Sequence, residues 1–157
     1  MMFKQAGIAV ALALASTGAL AQSQEVIKNG SRDGTIGSSD NFTGTAYVEP
    51  VFDNRDPFAV NAGKVTFLPG ARSNWHTHPA GQMLVVTEGT GWVQEEGQPK
   101  EIIQPGDVVW CPPDVRHWHG ATDTTAVTHY AIQQFKDGEN VVWGDPVTDE
   151  QYAGPAE

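Results

Sequence analysis

The sequence is poor in several things at once. Cys111 is the one cysteine in 157 residues, which excludes an internal disulfide framework. Set between Trp110 and Pro112, it reads as a small buried hydrophobe rather than a reactive thiolate. Basic residues are scarce: 9 Lys and Arg stand against 19 Asp and Glu, a formal charge of −10. Such a surface repels phosphate backbones and anionic lipid alike, so the expected partner is a small-molecule substrate, with neither nucleic acid nor membrane bound. No apolar run reaches the ~20 residues that a bilayer-crossing helix needs. The longest, Ala6 to Leu20, follows Lys4 and meets Ala19-Leu20-Ala21, the small-x-small pattern that signal peptidase reads. Residues 1–21 are expected to be a signal peptide, which makes the protein exported and its compartment the periplasm.

Helical periodicity is equally scarce. Residues 22–41 are rich in Ser, Gly, Asn and Asp and read as a flexible N-terminal arm or an extended segment laid on a neighbouring subunit. From Phe42 the chain changes to short runs of Val, Thr, Trp and Ile, broken by turn residues such as Pro69-Gly70, Glu96-Gly97, Pro105-Gly106 and Asp137-Gly138. That spacing predicts an all-β sandwich or barrel over residues 42–146. In the tail, residues 147–157, Thr148 is placed to cap a short helical turn through Gln151 and Tyr152. One domain accounts for the length. Tyr47, Val48, Val51, Phe52 and Phe58 offer apolar surface for a homo-oligomer, a dimer or a tetramer.

All five histidines fall between His76 and His129, and four form two pairs, His76-Thr77-His78 and His117-Trp118-His119. On a strand, alternate side chains share a face, so each pair points one way while Trp75, Thr77 and Trp118 point the other. Paired residues lie about 6.5 to 7 Å apart at Cα, a span that two imidazoles can close around one ion. In the stretch Thr125 to Gln134, the same alternation puts His129 and Gln133 on one face with Val127 and Ala131.

The spacing Gly70-x5-His76-x-His78-x3-Gln82-x6-Gly89, followed by Gly106-x5-Pro112-x4-His117, resembles the paired motifs of the cupin superfamily. That resemblance implies a single jelly-roll barrel whose metal ligands are His76, His78, Gln82 and His117. Two positions depart from the pattern: Gln82 stands where Glu is usual, and Asp114 where the second motif has Gly. Three imidazoles and a carboxamide leave the charge of a divalent ion uncompensated, which makes it a stronger Lewis acid. Mn(II) suits the set best, with Fe(II) or Zn(II) as other occupants.

Within the superfamily, the runs Trp75 to Pro79, Gly106 to Trp110, His117 to Gly120 and Thr128-His129, with the tail Val147 to Tyr152, are similar to bacterial manganese-dependent hydroxynitrile lyases of the small cupin type. The resemblance implies reversible cleavage of an aromatic cyanohydrin such as mandelonitrile into aldehyde and cyanide. His129 would take the hydroxyl proton, His119 and Gln133 would serve the departing cyanide, and Val65 and Phe67 would form an apolar wall. His119 is also open as a further ligand. Two other readings compete: an Fe(II)-dependent cupin dioxygenase, and a non-catalytic periplasmic cupin that binds or stores a metal or ligand.

Overall fold

The computed structural model describes residues 23–55 and 57–156, and the expected signal peptide lies outside them. The strands, in chain order, are β1 (Thr35–Ile36), β2 (Phe42–Thr43), β3 (Ala46–Phe52), β4 (Val60–Phe67), β5 (Arg72–Ser73) and β6 (His76–Thr77). They continue as β7 (Gln82–Gly89), β8 (Gly91–Glu95), β9 (Glu101–Ile103), β10 (Val108–Cys111), β11 (His117–Ala121), β12 (Val127–Gln134) and β13 (Val142–Trp143), followed by one helix, α1 (Asp149–Ala153). One sheet runs β1-β3-β4-β12-β7-β10; the other runs β13-β6-β11-β5-β2, with β8 on the free side of β11 and β9 beyond it. The pairings are antiparallel, and the two sheets close on each other as a jelly-roll barrel. Among the described residues no helix is long and apolar enough to cross a membrane.

Alternation decides what fills the barrel. Leu84 and Val86 of β7, Val65 and Phe67 of β4 and Val127 and Ala131 of β12 point inward to meet Val93, Ile103 and Ala121 from the opposite sheet. Complete burial of Phe67 and Leu84 stabilises the fold by about 2 kcal/mol each. Strand β11 is buried on both faces, because Trp118 points out of the barrel into a second cluster with Trp75 and Val147. That cluster is roofed by α1. Thr148 Oγ1 accepts from Gln151 N at 3.2 Å and Gln151 Oε1 accepts from Thr148 N at 2.9 Å, the capping box that the sequence suggests.

Part of the N-terminal arm is extended and joins the sheet. Thr35 and Ile36 pair with Val48 and Tyr47 of β3, and ion pairs Arg32–Asp53 and Arg55–Glu25 tie it to the segment after β3. Two turns hold special backbones. Gly89 joins β7 to β8 at φ +76°, and a Cβ there would fall 1.9 Å from the Ala126 carbonyl oxygen, so no other residue fits. Asp114, at φ +62°, occupies a left-handed turn that Asp tolerates where Gly is usual. Its N–H donates to the His78 carbonyl at 3.0 Å.

Candidate metal centre

The two His-x-His segments lie side by side. β6 pairs with β11 through His76 opposite His117, which brings their ring centroids to 4.3 Å. The His78 ring lies 5.1 Å from that of His76 and 5.5 Å from that of His117. One ring nitrogen from each of His76, His117 and His119 forms a group with all three within 4.8 Å of one another, so this buried triad could hold a metal ion. Gln82 enters from β7, its Oε1 3.3 Å from His117 Nε2.

Backbone carbonyls set the tautomers. His76 Nδ1 faces the Asn74 carbonyl at 2.8 Å, His117 Nδ1 that of Val115 at 2.9 Å, and His78 Nδ1 that of Asn140 at 2.5 Å. Each Nδ1 is therefore the protonated nitrogen, and each Nε2 carries a lone pair. His117 Nε2 and Gln82 Oε1 then turn two acceptors toward each other. The Gln82 amide is held that way round because its Nε2 donates to Gln133 Oε1 at 3.2 Å. The His78 Nε2 is buried with no hydrogen-bond partner. Facing acceptors and a partnerless buried nitrogen are costly by themselves and suit a shared cation. The residues present therefore fit a divalent metal held by neutral nitrogen and oxygen donors.

Burial makes every one of these rings a weaker base. It is the leading cause for His76 and His119, which fall well below the ordinary value, each pressed further by neighbouring histidines. His117 is lowered by the same cause, and His78 and His129 are brought down to about 4. Neutral imidazoles are the form that ligates a metal. Burial pushes the Cys111 thiol up to about 12, so it stays protonated and inert.

The histidine cluster opens into a cavity of about 240 Å³. Val65 lines it, as do His76, His78, Gln82, His119 and Gln133. Phe67 does not; it lies behind the rings, edge-on to His119 at 5.6 Å and tilted against His129 at 5.8 Å. His129 does not line the cavity either. It is fully buried behind His119, its Nε2 3.1 Å from His119 Nδ1. The apolar wall includes Phe42, Val48, Val141 and Trp143, of which only Val48 stood out in the sequence, and then as a subunit contact. Trp143 lies tilted against His76 at 4.9 Å and meets Phe42 edge-on at 5.5 Å.

Barrel and histidine centre together define a small β-barrel whose buried imidazoles could hold a metal, and its likeness to known proteins gives it a family. Residues 63–132 match the family model described as a cupin domain. The chain is 54% identical over 128 residues to an (R)-mandelonitrile lyase of Granulicella tundricola, covering 82% of this chain and 98% of that one. Among solved structures, a cupin-like protein of Thermotoga maritima is 40% identical, with TM-score 0.71 over 82% of this chain and 95% of its own. The polyketide cyclase RemF of Streptomyces resistomycificus shares the fold at 13% identity, with TM-score 0.65 over 83% and 91%. The chain belongs to the cupin family.

Proposed function

We propose that the protein is a metal-dependent carbon–carbon lyase that reversibly cleaves an aromatic cyanohydrin, of which mandelonitrile is the model, into an aldehyde and cyanide. The observation that carries this reading is a cluster of neutral donors opening into a small apolar cavity that no carboxylate lines among the described residues. The 54% identity to a mandelonitrile lyase supports the substrate class. His76, His78, Gln82 and His117 are the proposed ligands, with Mn(II) the preferred ion and Fe(II) or Zn(II) as substitutes. When bound, the ion supplies Lewis-acid stabilisation for negative charge developing on the substrate oxygen.

The chain's own groups move the proton. His119 lines the cavity, so its Nε2 is the atom that takes the hydroxyl proton, while its Nδ1 proton passes to His129 Nε2, 3.1 Å away. The O–H electron pair becomes the second bond of the carbonyl, and the C–C pair leaves on cyanide. Gln133 uses its oxygen for Gln82, which leaves its Nε2 free to donate to the departing cyanide; returning the proton through His119 gives hydrogen cyanide. Val65, Phe42 and Trp143 form an apolar wall of the cavity, which excludes water and receives the aromatic ring. In this reading the protein is exported to the periplasm and works as a homo-oligomer, with the exposed Tyr47 and Phe58 at the subunit contact.

Mn(II)-loaded protein incubated with mandelonitrile should release benzaldehyde and cyanide in equal amounts without taking up oxygen. Chelation should abolish the activity and Mn(II) should restore it. A metal-loaded protein with no turnover rejects the lyase reading, and oxygen uptake would mark a dioxygenase instead.

A further inference from the structure

The three imidazoles of the proposed ligand set are not oriented in the same way. His76 and His117 take their carbonyl partners from Asn74 and Val115, two residues upstream on their own segments, so those orientations are local. His78 takes its partner from Asn140, 62 positions away on the connection between β12 and β13. His78 is followed by Pro79 and lies just beyond the end of β6, where no strand pairing holds it. Its aim depends on where the Asn140 carbonyl sits.

The Asn140 side chain anchors that carbonyl: its Nδ2 donates to Asn61 Oδ1 at 3.1 Å. Asn61 lies near the start of β4, in register with Gln133 of β12, on an interior strand of the six-stranded sheet. The rest of the connection has its own anchors. Lys136 and Glu139 close a turn through paired backbone hydrogen bonds, and β13 pairs with β6 through Val142–Thr77 and Trp143–His76. Loss of the Asn61 contact would leave both anchors in place and free only the carbonyl between them.

We propose that Asn61 is a positioning residue for the metal centre: through Asn140 it holds His78 Nδ1 and so aims the partnerless His78 Nε2 at the ion. The proposal rests on the reading of His78 as a ligand.

The test is titration of the metal-stripped protein with Co(II) alone, followed by its visible absorption and by competition with a chelator. Asn61→Ala should weaken Co(II) binding about 10- to 100-fold and alter the absorption bands, as expected when a nitrogen donor is lost. Asn140→Ala keeps the carbonyl but loses the anchor; it should match Asn61→Ala, and the double variant should be no worse than either. Asn61→Asp keeps the accepting oxygen and should restore both affinity and spectrum. If Asn61→Ala binds Co(II) as the unaltered protein does, with the same spectrum, the positioning role is overturned while the metal centre stands. It is also overturned if affinity falls only in step with the melting temperature of the metal-free variant and Asn61→Asp brings nothing back. If the unaltered protein takes up no Co(II), the metal centre and its positioning residue fall together.

Discussion

His119 Nδ1 and His129 Nε2 lie 3.1 Å apart, with the first ring at the cavity and the second sealed behind it. Two neutral imidazoles in contact share one proton between them, so the pair can pass a proton inward without exposing a charge to the apolar wall. His129 is not one of the proposed ligands, and Phe67 packs against both rings. His129→Phe should therefore lower kcat by about 10² to 10⁴ while metal content is unchanged. The check is turnover of mandelonitrile beside the metal stoichiometry of the same sample. Unchanged kcat would remove His129 from the proton path.

Acid should destabilise the metal-free protein in a defined window. The ordinary imidazole value is 6.5, and burial holds His129 and His78 at about 4 in the fold. Between those values the unfolded chain binds protons that the folded chain refuses, so stability is complete above about pH 6.5 and is lost as pH falls toward 4. For the fully buried His129 the loss is on the order of 3 kcal/mol. Thermal unfolding of chelator-treated protein from pH 7.5 to 4 should show the fall, and Mn(II) should oppose it by binding only the folded state. A flat melting temperature over that range would mean that these rings are not sealed from protons.

Much of this centre was legible because strands alternate. The faces of His117, His119 and Trp118 follow from position parity, as do those of His129 and Gln133, and the Thr148 cap follows from local backbone chemistry. Parity assigns a face but not a depth, so it cannot say that His129 stands behind His119, or that Phe67 supports the rings instead of lining the wall. Asn140, Val141, Trp143 and Phe42 reach the site from a connection and from two-residue strands at the barrel rim, where periodicity carries no signal. Their placement follows from tertiary pairing, β13 on β6 and β2 on β5.

Gln82 carries a prediction about charge. Its oxygen faces His117 and its nitrogen is committed to Gln133, so the donor set is neutral. Gln82→Glu adds a negative ligand: it should tighten Mn(II) binding, reduce the electrophilic pull of the ion and lower kcat about tenfold. It also removes the donor to Gln133. Gln82→Leu removes the oxygen altogether and should lose the ion more readily. Mn(II) affinity and kcat measured together decide the matter. If Gln82→Glu raises kcat, charge neutrality of the set is not what the chemistry requires.

The outer cluster makes a prediction that separates stability from catalysis. Arg72 is buried with its side chain over Tyr152, 4.5 Å from the ring centroid, and it donates to the Val147 carbonyl from Nε at 3.2 Å and Nη2 at 2.9 Å. Its ion pair with Asp149 is 2.7 Å long, but the Asp149 side chain is 94% exposed. Solvent screens that pair, which is worth under about 1 kcal/mol. Removing the guanidinium is different, because it strands a carbonyl of the buried Val147 and uncovers the tyrosine face. Arg72→Leu should cost about 3 kcal/mol and Asp149→Asn under about 1 kcal/mol. Neither should change kcat at a temperature where the fold is intact, since Arg72 and α1 pack on the face of β11 opposite the histidines. Melting temperatures and kcat of the two variants test this, and equal losses of stability would mean that the ion pair, not the bond to the Val147 carbonyl, fastens the C-terminal helix to the barrel.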